Sequence, residues 1–198
     1  MFDWGGWGWF PECVDEVKFF TYPAQAHGLG AGMRHWGIRV NGDDLRLIAA
    51  EATRDFWLAQ SSRDGSENSD EYMTQFVLTQ YGSLWTTVLG PPSRMLFGEM
   101  KEGQRWTEGL WAGRTPLLGC GGCVGWECWP LLAAIEVDDR VVTWSTFVQP
   151  RRERWGELEI GPYTFDRAVY EAAMAEPDTL DADPVAALLQ DDKDHPLD

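Results

Sequence analysis

Leu131-Leu132-Ala133-Ala134-Ile135-Glu136-Val137-Asp138-Asp139-Arg140-Val141-Val142-Thr143-Trp144-Ser145-Thr146-Phe147-Val148 is the stretch that decides the fold class. Two apolar runs flank an acidic pair. The first run is mostly Leu and Ala, and β-branched and aromatic residues dominate the second. A two-residue turn at Asp138-Asp139 pairs Ile135 with Val142 and Ala133 with Trp144. Leu131 and Val137 then share that face, so a small residue opposes a large one. Asp-Asp is not the favoured pair for such a turn.

Outward from the hairpin, strand and helix signals alternate with breaks. Trp36 to Val40 reads as a short strand, and Asn41-Gly42 as a turn. From about Asp43 to Gln60, Leu45, Ile48, Ala49, Ala52, Phe56 and Ala59 recur at helical spacing. Residues 61 to 70 form a polar loop. Residues 72 to 89 fit either two strands or a helix followed by a strand, and Gly90-Pro91-Pro92 breaks the chain. Asp166 is placed to cap a helix that continues to about Ala175, with Pro177 stopping it. The expectation is a single α+β domain: a small, mostly antiparallel sheet with a helix near each end of the body.

Three regions follow. Residues 1–35 include Trp4-Gly5-Gly6-Trp7-Gly8-Trp9 and Gly28-Leu29-Gly30-Ala31-Gly32, a density of glycine that is costly to order. They read as a loosely attached arm, with Met33 as an alternative natural start. Residues 36–175 form the body. Residues 176–198 carry eight acids and one lysine, and read as a disordered acidic tail.

The chain of 198 residues is 44% apolar, enough for a core, and its formal charge is −16. That field repels phosphate backbones, so no nucleic-acid partner is expected. No apolar stretch is long enough for a membrane helix and the N-terminus lacks the features of a signal peptide, so the protein reads as cytoplasmic. A basic protein partner suits the acidity. The twelve tryptophans suit an interface as well as a core.

The three histidines are His27, His35 and His195, so none lies between Trp36 and Asp194. The commonest general base and metal ligand is therefore missing from the body. Ser145 has no histidine partner there, and no phosphate loop, dinucleotide fingerprint or HExxH motif occurs. No catalytic residue is assigned.

Two clusters carry chemistry. Cys120, Cys123 and Cys128 spell C-x2-C-x4-C in a glycine-rich loop. A zinc site needs a fourth ligand, from Cys13, His27, His35 or Glu127. A redox pair needs an electropositive setting, whereas Glu127 is the only ionisable residue within the loop besides the thiols. The expectation is no cofactor, with zinc as the alternative, and a loop that positions Trp126 and Trp129 at the sheet edge. Arg151, Arg152 and Arg154 form the body's only basic cluster, where a carboxylate or phosphate could dock. Trp126, Trp129, Arg151 and Arg152 are the candidate binding residues. The reading that follows is a non-catalytic, inhibitor- or immunity-type binding module. The alternative is a cysteine-centred zinc or thiol-redox protein.

Four segments carry a resemblance. They are Ile38 to Arg46, Pro116 to Cys120 leading to Cys128 to Leu132, Thr143 to Pro150, and Gly161 to Arg167 with Tyr170-Glu171. These resemble an uncharacterised family of small soluble bacterial proteins of the actinobacterial type, over roughly residues 36 to 175. The resemblance implies no activity. Members of that family tend to have Asp where Thr146 stands and His-Arg where Arg151-Arg152 stands. Any chemistry carried by those positions is therefore in doubt for this chain.

Overall fold

A computed structural model describes residues 14–24, 32–63, 70–99, 113–123 and 125–189. The fold is α+β, but the sheet is large rather than small. Its strands are β1 (Val17–Pro23), β2 (Arg34–Val40), β3 (Asp43–Asp44), β4 (Tyr81–Trp85), β5 (Thr115–Cys120), β6 (Leu131–Val137), β7 (Val141–Val148), β8 (Tyr163–Asp166) and β9 (Asp178–Thr179). They run in the order β8-β7-β6-β5-β4-β2-β1-β9, with β3 paired to β2. Every pairing is antiparallel except β1 with β9. The helices are α1 (Leu45–Arg63), α2 (Asp70–Leu78), the single turn α3 (Thr86–Leu89) and α4 (Arg167–Ala175). Among the described residues no helix is long and apolar enough to cross a membrane.

The sheet exceeds expectation because the supposed arm and tail contribute to it. Val17–Pro23 pairs with β2 along its whole length, from Val17 opposite Val40 to Pro23 opposite Arg34. Both faces of β1 are buried. Phe19 meets Trp36 and Tyr170 on one side, and Tyr22 lies over His35 on the other. The loose-arm reading therefore fails for residues 17–23; the Gly/Trp run, Cys13 and His27 lie outside the described residues. The disordered-tail reading fails for residues 178–189. Asp178 and Thr179 pair with β1, the Leu180 amide donates to Thr21 O, and Val185 is buried.

The central hairpin forms with a register two residues away from the expected one. Ile135 faces Trp144, and Val137 faces Val142. A longer turn replaces the Asp-Asp pair: the Asp138 carboxylate accepts from the amides of Arg140 and Val141. A slip of two preserves the inward face, because side chains alternate with period two. Trp144 is accordingly fully buried beneath α4, edge-on to Phe165 and Tyr170. β7 also bulges. Leu132 pairs with Val148 but Ala134 with Ser145, so Thr146 and Phe147 together oppose Ala133. Thr146 sits at φ 51°.

Local signals explain several elements directly. Asn41 and Gly42 both take positive φ, as a tight turn between β2 and β3 requires. Asp166 caps α4 by accepting from the Val169 amide at 3.0 Å. Residues 70–78 are helix and 81–85 strand, the second of the two readings for that region. α1 is turned slightly from its expected face. Ala59 is exposed, while Arg46, Thr53 and Trp57 are buried. That rotation places Trp57 toward the end of the sheet where the cysteine and arginine clusters lie.

Candidate functional site

The cysteine loop leaves the end of β5 and is held against the turn between α2 and β4. The Gly121 amide donates to Gln80 O at 3.0 Å. A side chain at Gly121 would fall on the Thr79 carbonyl, so only glycine permits this approach. The Cys120 amide donates to Gly125 O at 2.9 Å and closes the loop; Val124, at its tip, lies outside the described residues.

This folding brings the three sulfurs together, all within 4.8 Å of one another. Cys123 Sγ and Cys128 Sγ are 2.9 Å apart, and the Gly125 amide donates to Cys123 Sγ at 3.4 Å. Cys123 and Cys128 are exposed, and Cys120 is half-buried. Burial raises the Cys120 thiol, but hydrogen bonds from the Cys123 and Gly122 amides and from the other two thiols outweigh it and leave its pKa below the ordinary value. Cys128 moves the other way, to about 12, through burial, then hydrogen bonding to Cys123 and Cys120, then their negative charge. Negative charge thus settles on Cys120 before Cys128.

Among the described residues no fourth ligand joins the three sulfurs. His35 lies on β2, stacked on Trp85, with Nδ1 2.9 Å from Ser83 O. Glu127 is exposed, and its main-chain carbonyl accepts from Arg151.

That last contact joins the two clusters, which are 24 residues apart in sequence: Arg151 Nη2 donates to Glu127 O at 2.9 Å. Arg152 completes the connection. Its guanidinium lies 4.9 Å from the Trp129 ring, 5.4 Å from Trp57 and 5.8 Å from Trp155. The rings also contact each other, Trp57 with Trp129 at 5.5 Å and with Trp155 at 5.3 Å. The turn presenting the arginines is fixed by buried Gln149, whose Oε1 accepts from the Arg151 amide at 2.7 Å. Trp126, the remaining candidate, is half-buried against the main core.

The chain matches no family model, no curated protein and no solved structure. The arrangement of side chains alone therefore carries the functional argument.

Two clefts adjoin the arginine turn, separated by the stacked pair Phe56 and Trp155, whose rings lie 5.0 Å apart at 15°. One, of about 860 Å³, is lined by Arg63, Arg151, Arg152, Arg154 and Gln60, with Glu153 its one carboxylate among the described residues. The other, of about 950 Å³, is lined by Asp43, Glu51, Asp55, Glu157 and Glu159. The sequence reading placed Phe56 only on the apolar face of a helix, and did not single out Trp57, Trp155 or Arg63. A tryptophan three residues after Arg152 was the one local signal for Trp155; Trp57 gave none, because its role depends on the rotation of α1.

Proposed function

We propose that this protein binds a thiophilic metal ion, zinc by the chemistry of its ligands, through the thiolates of Cys120, Cys123 and Cys128. The convergence of the three sulfurs within 4.8 Å carries this reading. Zinc–sulfur bonds of about 2.3 Å in a tetrahedron place sulfurs about 3.8 Å apart, so small adjustments of the loop suffice. A divalent cation also relieves the crowding of charge that holds the last proton on Cys128. The fourth coordination position is left to water, to an external ligand or to a residue outside the described segments. An exposed three-thiolate site with an accessible fourth position suits metal handling or ligand activation better than a closed structural role. The reading goes with a reducing compartment, the cytoplasm, where the thiols persist.

The test is elemental analysis of full-length protein purified without chelator, with cobalt substitution as a second readout. Stoichiometric zinc is expected, along with thiolate-to-cobalt charge-transfer bands. Cys120→Ser, Cys123→Ser and Cys128→Ser should each abolish both. Metal-free protein that neither takes up cobalt nor loses anything in the serine variants would sink the proposal.

A second reading, the protein-binding module, is favoured by the acidic cleft beside the Phe56–Trp155 pair. Five carboxylates next to half-buried rings suit a basic segment of a partner protein. Saturable binding of an oligolysine peptide, weakened in Glu51→Gln/Asp55→Asn, is the expected result. Equal binding by that variant would remove the cleft from consideration.

A further inference from the structure

We infer that the arginine-lined cleft between α1 and the Arg152–Trp155 turn is a binding site for a phosphate-bearing small molecule, one that presents two linked phosphates. Among the described residues, four guanidinium groups against one carboxylate is a local reversal of sign in a chain of charge −16. Long-range attraction does not produce it, so recognition there is short-range and directional, as planar guanidinium groups provide for phosphate oxygens.

The buried layer around the cleft points to the same chemistry. Arg152 Nε, Trp57 Nε1, Trp129 Nε1 and Gln149 Nε2 are all shielded from solvent and have no hydrogen-bond partner among the described residues. Gln149 is 1% exposed and Trp57 6%. Every one of these groups is a donor. An unmet buried donor is costly, and of these groups Arg152 alone also lines the cleft, so its Nε–H is the buried donor that a ligand there can satisfy. Arg152 connects that layer to the cleft, since it lines the cleft and stacks on all three tryptophans. Its orientation is fixed by the rings rather than by a carboxylate, which leaves its donors for a ligand. At about 860 Å³ the cleft exceeds what a single carboxylate fills. The Phe56–Trp155 pair in its wall offers an apolar surface for the organic part of the ligand.

This inference is independent of the metal reading, and the test separates them. Full-length protein is titrated calorimetrically at low ionic strength with inorganic pyrophosphate, a nucleoside diphosphate and citrate. Saturable binding of pyrophosphate is expected, with tighter binding of the nucleoside diphosphate and no binding of citrate. Arg154→Ala and Arg63→Ala, both at exposed positions, should each weaken binding roughly tenfold. Arg152→Lys keeps the charge but loses the planar fork, and should weaken binding at least as much. The double variant Cys123→Ser/Cys128→Ser should bind pyrophosphate as the parent does. Loss of binding in that variant would assign the phosphate to a thiolate-held metal and overturn the cleft. Equal affinity in the three arginine variants, or citrate binding as tightly as pyrophosphate, would overturn it as well.

Discussion

Arg46 holds Asp183 in a bidentate pair across 137 residues of chain, Nη1 to Oδ2 at 3.0 Å and Nη2 to Oδ1 at 2.9 Å. The same guanidinium bonds Asp44 through Nε and Nη2, and donates to the Tyr22 hydroxyl at 2.9 Å. Burial by itself would lower its pKa, but the bonds to Asp44 and Asp183 outweigh burial and raise it. The start of α1, the strand β1 and the segment after β9 are thereby fastened at one point.

Removing Asp183 leaves Arg46 with Asp44, whereas removing Asp44 strips the more deeply buried partner. Asp183→Ala should cost about 2–3 kcal/mol, as loss of hydrogen bonds to a charged group does. Asp44→Ala should cost about 3–5 kcal/mol. Urea unfolding measures both, and Asp183→Ala with the parent's midpoint would detach the tail from the fold.

Trp144 is fully buried between Phe165 and Tyr170, whose hydroxyl donates to Leu96 O at 2.7 Å. Trp144→Ala should destabilise by about 3–5 kcal/mol. Because the ring packs on α4, the near-ultraviolet dichroism of the Tyr170 neighbourhood should change with it. An unaltered midpoint would contradict this packing.

Thr146 occupies a left-handed conformation in the β7 bulge, which a β-branched residue adopts only with strain. Thr146→Asn should raise stability by about 1 kcal/mol, because Asn tolerates that region. A lower melting temperature for Thr146→Asn would count against the bulge.

His35 is held below its ordinary pKa, mainly by burial, with the hydrogen bond to Ser83 O opposing part of the effect. The unfolded chain therefore takes up the proton more readily than the folded one. The contribution of neutral His35 is complete above about pH 6.5 and is lost as pH falls through the depressed folded value. Denaturation midpoints measured down to about pH 5 should fall more steeply for the parent than for His35→Gln. Parallel slopes would show that the imidazole titrates alike in both states.

Gly121 lies against the Thr79 carbonyl with no room for a methyl group. Gly121→Ala must push the cysteine loop off the turn between α2 and β4, at about 1–3 kcal/mol. If the thiols hold zinc as proposed, its retention should fall together with the stability. A variant as stable as the parent would mean that the loop does not rest on that turn.

Several features were legible because short-range chemistry specifies them. Asp166 caps its helix through an amide three residues on, and Asn41-Gly42 turns the chain through two positive φ angles. The C-x2-C-x4-C spacing keeps three thiols within reach of one point whatever surrounds them. The burial of Trp144 survived a two-residue slip of the hairpin because alternation repeats every two residues. Which helix covers that face was not legible, since no local pattern states which helix covers a strand.

By itself, then, the sequence determined the α+β alternation, the cap at Asp166, the turn at Asn41-Gly42, the buried face of the hairpin and the spacing of the thiols. Tertiary structure decided that Val17–Pro23 is an interior strand, that Asp183 closes on Arg46, and that Arg152 joins Trp57, Trp129 and Trp155. These partners are brought together by the order of strands in the sheet and the rotation of α1 upon it. Such contacts are set by the packing of whole elements, which period and spacing along one chain do not encode.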